Sequence, residues 1–360
     1  MKKIIIFSPS RVWGGVEKNV LLRARFLSER GYRVKVVLLK DHFKERFESL
    51  EKVETVEVPA RGGDFNFFVV WRYIRILKDF QPDLVFVASK QDWWLVSLSC
   101  KLAGITNIVL YLGIYRKLNN RLKFRIIFNR FNARAVVNSD SLKNELLQKS
   151  AFFDEQNLIR IYNGFSLPDV TEQECSQEKL ALLNKLNLSP DTLLVGVAGR
   201  FTRQKGFDLL PEIIEPLPEN VHVIHAGSGQ QEEEIKAYLN RSSIKNRLHF
   251  LGYQSDMKPF YSAIDVFLLC SRNEGMANVL NEALGYGKPV VSTKVPGSKE
   301  LLNSGEFGLL TDIEDTPALS ESLQQILNTE VTFPFDKQRA HIKNSFSMEK
   351  MIENTEKLFH

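Results

Sequence analysis

Short apolar runs alternate with helix-length amphipathic stretches from the third residue onward, and this alternation restricts the fold more than any other feature of the chain. In the first half the pattern predicts strands at Lys3–Phe7, Arg33–Leu39, Val53–Val58, Asp83–Ala88, Asn107–Leu112 and Arg134–Asn138. Helical patterns fall between them, as at Val16–Arg30, Asn66–Asp79 and Trp93–Leu102. Strands linked through helices argue for a parallel sheet covered on both faces. The alternation pauses at Ile161-Tyr162-Asn163-Gly164, where Asn-Gly signals a turn, and a polar stretch continues through Glu178. It then restarts, with strands predicted at Thr192–Ala198, Asn220–His225, Arg247–Leu251, Asp265–Cys270, Pro289–Thr293 and Gly308–Thr311. An amphipathic tail, Met348–Leu358, reads as a last helix. The expected fold class is α/β, with two Rossmann-like doubly wound parallel-sheet domains at 1–165 and 166–340 and a terminal helix within 341–360. A chain of 360 residues, 44% hydrophobic and 25% charged, suits two ordinary soluble cores.

Several classes are disfavoured. Lys101 and polar residues interrupt the apolar stretch near Leu95–Ile114 before it reaches membrane-spanning length. The apolar start at Ile4–Phe7 stops at Ser8-Pro9-Ser10-Arg11, so it reads as a buried strand rather than a signal peptide, and a cytoplasmic location is expected. Cys100, Cys175 and Cys270 are far apart and show neither metal spacing nor a disulfide framework. His222 and His225 fall in a strand pattern that turns them to opposite faces. The net charge of +5 is unevenly placed: residues 1–163 carry 29 Lys and Arg against 16 Asp and Glu, and the remainder carries 19 against 27. The first half is therefore the half suited to an anionic partner.

Three loops carry candidate chemistry. Gly14-Gly15 separates the first predicted strand from the first helix, where a backbone can approach an anion closely, though a plain turn explains it equally. It lacks the G-x-G-x-x-G pattern of a dinucleotide enzyme. In the second half, Gly199-Arg200-Phe201-Thr202-Arg203-Gln204-Lys205-Gly206 occupies the matching place, with Lys205 expected to open the next helix. Two cations at one strand end suit a diphosphate, and a solvated basic loop is the plain alternative. In the third loop, Glu274 follows an apolar strand, and Glu282 is expected about two turns into a helix starting near Ala277. A carboxylate beside buried sheet needs partners, which the hydroxyls of a ribose would supply. The N–H groups of Ala277, Asn278 and Val279 would suit phosphate. A surface pair of glutamates is the plain alternative here.

Gly199–Gly206 and the Glu274-x7-Glu282 spacing resemble the signature segments of family-4 retaining glycosyltransferases of the GT-B fold. Val136-Val137-Asn138-Ser139, Ile161-Tyr162-Asn163-Gly164 and Ala226-Gly227-Ser228-Gly229 are similar to lesser landmarks of that family. The resemblance implies two facing domains and a C-terminal helix crossing back to the first. It implies that Arg200 and Lys205 bind the donor diphosphate and stabilise the leaving group, and that Glu274 holds the donor sugar. Glu282 would hold the ribose, Gly15 and Gly199 would pass close to the donor, and Gly252-Tyr253 would lie near its base. The implied reaction moves a hexose-type sugar from a nucleotide diphosphate sugar, of UDP type, with retained configuration and with neither metal nor cofactor. Its acceptor would be a glycan or lipid-linked saccharide of cell-surface polysaccharide or lipopolysaccharide synthesis. The chain departs from many relatives in having no histidine between His42 and His222. Asp92 and Arg116 are the acceptor-side candidates in the loops concerned, with a helix cap or surface charge as the alternative for each.

No Asp or Glu occurs from Trp93 to Ala135. Arg121, Lys123 and Arg125 lie there among Leu122, Phe124, Ile126, Ile127, Phe128 and Phe131, a pattern suited to contact with an anionic membrane on its inner face. The alternative is that the apolar residues pack on the sheet. Nucleic acid is disfavoured, since no recognition module accompanies the charge. Two rival functions remain: a sugar-nucleotide epimerase of similar build, which would need acid/base groups at the sugar, and a non-catalytic partner subunit, which would tolerate loss of Arg200, Lys205 or Glu282.

Overall fold

The computed structural model describes residues 1–60, 63–115, 118 and 122–359. The chain forms two compact units, Met1–Gly164 with Met348–His360, and Phe165–Ser347.

The first unit is built on a parallel sheet of β1 (Lys3–Ser8), β2 (Arg33–Leu39), β3 (Val53–Val58), β4 (Leu84–Val87), β5 (Ile108–Leu112), β6 (Arg134–Val137) and β7 (Leu158–Arg160). Its order is β3-β2-β1-β4-β5-β6-β7. β1 shows why its sequence reads as a continuous apolar run. Ile5 and Phe7 enter the core on one face with Tyr73, Trp93 and Leu110. Ile4 and Ile6 enter the core on the other with Ala24, Leu27 and Val136. A parallel strand buried on both faces has no solvent side to mark.

The second unit repeats the plan with β8 (Leu193–Ala198), β9 (Val221–Ala226), β10 (Leu248–Gly252), β11 (Val266–Leu269), β12 (Val290–Thr293) and β13 (Leu309–Thr311). Their order is β10-β9-β8-β11-β12-β13, again parallel throughout. Both sheets reverse their winding beside the first strand of the unit, as doubly wound sheets do.

The junction differs in detail from the sequence expectation. The polar stretch through Glu178 includes the first turns of a helix. Thr171 caps this helix, Glu172–Lys185, through a reciprocal capping box with Glu174. Phe165 pairs with the far end of its unit, its N–H donating to the Phe346 carbonyl at 2.8 Å. Residues 341–347, expected with the terminal helix, therefore stay in the second unit, where Phe335–Ser345 is helical.

The helix Met348–Glu356 belongs to the first unit, where Met348, Met351 and Ile352 join the core that holds Ile4 and Ile6. Gly164 admits it: a Cβ at that position would lie 2.7 Å from the Met348 Cα. The contact also buries Arg23, whose guanidinium donates to Thr355 Oγ1 and lies 4.8 Å from the centre of the Phe86 ring. Burial lowers the Arg23 pKa to about 10.

Candidate functional site

The winding of the second sheet reverses between β8 and β11, and ligands of such sheets bind beyond the carboxyl ends of the strands at that point. The β8 loop does not pass straight into a helix. Arg203–Lys205 forms one 3-10 turn, Gly206 is left-handed at φ 72°, Phe207–Leu209 forms a second turn, and the helix Leu210–Ile214 follows. Lys205 thus closes a turn instead of opening a helix, because Gly206 interrupts the winding. A Cβ on Gly206 would fall 2.0 Å from the Cys270 carbonyl oxygen, so only glycine lets the loop lie against the end of β11.

That approach joins the second and third motifs. Lys205 Nζ lies 2.6 Å from Glu274 Oε1, with both side chains largely shielded from solvent. Ser271 Oγ donates to the same oxygen at 3.0 Å. Arg200, at the end of β8 next to Gly199, is exposed. An exposed cation and one paired with Glu274 therefore leave the same loop.

Ala277, in extended conformation, precedes the helix Asn278–Gly285, and no side chain caps the helix. Ala277, Asn278 and Val279 thus stand at an N-terminus whose dipole favours an anion. Glu282 lies about one turn into the helix, not the two turns expected, since it stands only four residues beyond Asn278. Its Oε2 accepts from Tyr261 Oη at 2.9 Å. Tyr261 is fully buried, and burial together with the Glu282 carboxylate raises its pKa well above the ordinary value. The phenol stays protonated and holds the glutamate in place.

Sequence reasoning missed Tyr261 and also the role of Arg272. Arg272 donates to both Asp208 oxygens at 2.7 and 2.9 Å, donates to the Arg203 carbonyl at 2.8 Å, and pairs with Glu314. Those hydrogen bonds to Asp208 and then to Glu314 raise its pKa despite partial burial. Arg272 thus fastens the Arg203–Lys205 turn to the loop after β11. Asp315 accepts from Ala318 N–H and caps the helix Thr316–Leu327.

Gly252 ends β10, and its carbonyl accepts from Gly227 N–H at 2.8 Å. Tyr253 beyond it is 55% exposed. His225 is buried between Phe201 and Phe207, where burial lowers its pKa to about 3. His222 lies on the other face, 2.9 Å from His249.

In the first unit Gly15 begins the helix Gly15–Glu29 after β1, with Gly14 as its cap residue. Asp92 is 3% exposed and immediately precedes the helix Trp93–Ala103 after β4. The two loops flank the switch point of that sheet. Arg116 lies outside the described residues, as does Arg121. Tyr111 Oη accepts from Asn138 Nδ2 at 3.2 Å and donates to Asn163 Oδ1 at 3.3 Å, which ties together two of the lesser landmarks.

The basic segment turns its apolar side inward. Leu122–Arg125 is α-helical and Ile126–Arg130 is a π-helical turn. Phe124, Ile127 and Phe128 enter the core. Lys123 Nζ pairs with Asp64 Oδ2 at 2.6 Å, whereas Arg125 is exposed. The Phe124 and Phe128 rings are thus packed on the sheet. Among the described residues no helix is long and apolar enough to cross a membrane, and no three His, Cys, Asp or Glu side chains are grouped as a metal site requires.

The family described as Glycosyltransferase Family 4 matches residues 13–167, and that described as Glycosyl transferases group 1 matches residues 192–329. The lipopolysaccharide core biosynthesis glycosyltransferase LpsE of Rhizobium meliloti is 34% identical over 40% of this chain and 42% of its own length. This chain thus spans under half of that relative. The N-acetylgalactosamine-N,N'-diacetylbacillosaminyl-diphospho-undecaprenol 4-alpha-N-acetylgalactosaminyltransferase of Campylobacter jejuni is 23% identical over 96% of this chain and 93% of its own. Anabaena HepE, solved with UDP and glucose, superposes with a TM-score of 0.83 at 22% identity, covering 99% of each chain. Two doubly wound units of this kind are the GT-B fold, and the chain belongs to the group 1, family 4-like glycosyltransferases.

Proposed function

We propose that this glycosyltransferase moves a hexose-type sugar from a UDP-type donor to a glycan or lipid-linked acceptor, with retained anomeric configuration and no metal. The observation that carries the reading is the Lys205–Glu274 ion pair of 2.6 Å at the switch point, with the Glu282 helix beside it. Breaking the bond from sugar to diphosphate leaves negative charge on phosphate. Lys205, Arg200 and the N-terminus at Ala277–Val279 supply positive potential where that charge develops. Lys205 already sits against Glu274, so a bound diphosphate shares its ammonium with a carboxylate aimed at the sugar. Glu282, held by Tyr261, accepts the ribose hydroxyls. Gly252 and Tyr253 border the base, and Asp92 belongs to the acceptor side. The cations do the work a metal would otherwise do, which supports a metal-free step.

The donor base follows the UDP complex of HepE. The acceptor class follows the diphospho-undecaprenol named for the Campylobacter relative and the lipopolysaccharide core named for LpsE. The proposed setting is cell-surface polysaccharide or lipopolysaccharide synthesis on the cytoplasmic side of the membrane.

The test is proton NMR of slow donor hydrolysis in excess EDTA, with water as acceptor. Release of the α-sugar first from an α-linked UDP-sugar is expected. Release of the β-sugar first would overturn retention, activity only with added divalent metal would overturn metal independence, and a donor epimerised without loss of UDP would favour the epimerase reading.

A further inference from the structure

The helix Phe67–Phe80 covers the first sheet with Val69, Val70, Tyr73, Leu77 and Phe80. Its opposite side should be polar. Instead, the first turn and the residues before it present large rings to solvent: Phe65 is 82% exposed, Phe67 76%, Phe68 87% and Trp71 59%. Single exposed apolar residues are ordinary, but four aromatics within seven positions of one chain segment form a patch.

The patch is anchored. Lys123 Nζ pairs with Asp64 Oδ2, and Trp94 Nε1 donates to the Asp64 carbonyl at 3.0 Å. Asn66 Oδ1 caps the helix at Val69 N–H. These contacts hold the rings outward on a firm base and bring the start of the basic segment alongside, where Leu122 is 72% exposed.

The segment that carries the rings is itself basic, bounded by Asp64, which is paired with Lys123, and by Asp79. From Phe65 through Lys78 the sequence has no Asp or Glu, while Arg72, Arg75 and Lys78 are all exposed. Arg75 lies 4.7 Å from the Trp71 ring centre. Aromatic rings flanked by cations match the boundary of an anionic bilayer, where rings enter among the acyl chains and cations stay at the headgroups. A second copy of the chain is a poorer fit, since a two-fold contact would set these cations against themselves. The helix begins after β3, at the carboxyl edge of its sheet, which is the edge that also carries Gly15 and Asp92.

We propose that Phe65, Phe67, Phe68 and Trp71 form the surface by which the chain docks on anionic lipid, with Arg75 and Lys78 meeting the headgroups. This places the membrane contact on the helix after β3, whereas Arg121, Lys123 and Arg125 were the residues expected from sequence. Docking needs no sugar donor, so its test stands apart from the transfer reaction. It would bring a lipid-borne acceptor to the sheet edge where the acceptor-side residues lie.

The test is co-sedimentation of the full chain with phosphatidylglycerol-containing vesicles and with phosphatidylcholine vesicles. Partitioning into the anionic vesicles alone is expected. Phe67→Ser/Phe68→Ser/Trp71→Ser should lower it at least ten-fold while leaving the circular dichroism spectrum unchanged. Arg75→Gln/Lys78→Gln should lower it mainly at low salt. In the unmodified chain, brominated lipid should quench a fluorescence component that Trp71→Phe removes, which tests the surface even if the triple variant folds poorly. Absence of partitioning, equal partitioning by the triple variant, or no quenching of Trp71 would each overturn the proposal. So would a dimer in solution that the triple substitution turns to monomer.

Discussion

At the level of single residues, the site rests on partners distant in sequence. Glu274 and Glu282 were legible because a strand, a loop and a helix bring them together locally. Lys205 was legible through its spacing from Arg200. Tyr261 was not, because nothing in its own neighbourhood marks it, and it reaches Glu282 across 21 residues. Tyr261→Phe should therefore weaken donor binding several-fold, about the 1 kcal/mol that a hydrogen bond is typically worth, while the fold persists. A titration of UDP into both proteins checks this. Arg272 stands two residues before Glu274, but nothing local marks its work, since Asp208 lies 64 residues away. Arg272→Ala should cost more in turnover than in stability, because it frees the Lys205 turn. His225 gives a stability prediction. Burial lowers its folded-state pKa from 6.5 to about 3, so the unfolded chain takes up the proton first. The contribution of a neutral His225 to stability is complete above pH 6.5 and is lost as pH falls towards 3. His225→Phe should flatten the loss of melting temperature across that window, and an unchanged slope would contradict the burial account.

Among the elements, agreement with sequence is good wherever an apolar run crosses a sheet. The two central strands β1 and β8 were placed to within a residue or two, as burial on both faces leaves a continuous apolar signal. The edge strand β7 was missed: it spans only three residues and is half-buried. The helix Phe335–Ser345 was missed because it buries only Gln338 and Ile342, too few for a periodic stripe. The helix Glu172–Lys185 had a readable start in Thr171-x-x-Glu174, but the polar composition hid it. Thr171→Ala should cost about 1 kcal/mol, the usual worth of such a cap, measurable by denaturant titration. Gly206→Ala should be worse, since its left-handed backbone and the nearby Cys270 carbonyl both resist a side chain. A loss of UDP binding out of proportion to the lost stability is expected there.

At the level of the whole molecule, the chain returns to its first unit only at Met348, and the core of that unit is incomplete without the return. Ile352→Ala should destabilise by roughly 2–5 kcal/mol, the usual cost of emptying a buried aliphatic site. The excess of cations in the first unit and of carboxylates in the second suits the partners proposed for them: anionic lipid for the first, and a nucleotide held by a few cations for the second. The most direct test of this account is thermal stabilisation by UDP, GDP, ADP and CMP in excess EDTA, on the unmodified chain and on Glu282→Ala. The account predicts stabilisation by UDP that survives EDTA and disappears with Glu282→Ala. No stabilisation by any of these nucleotides, or the same stabilisation in both proteins, would contradict it.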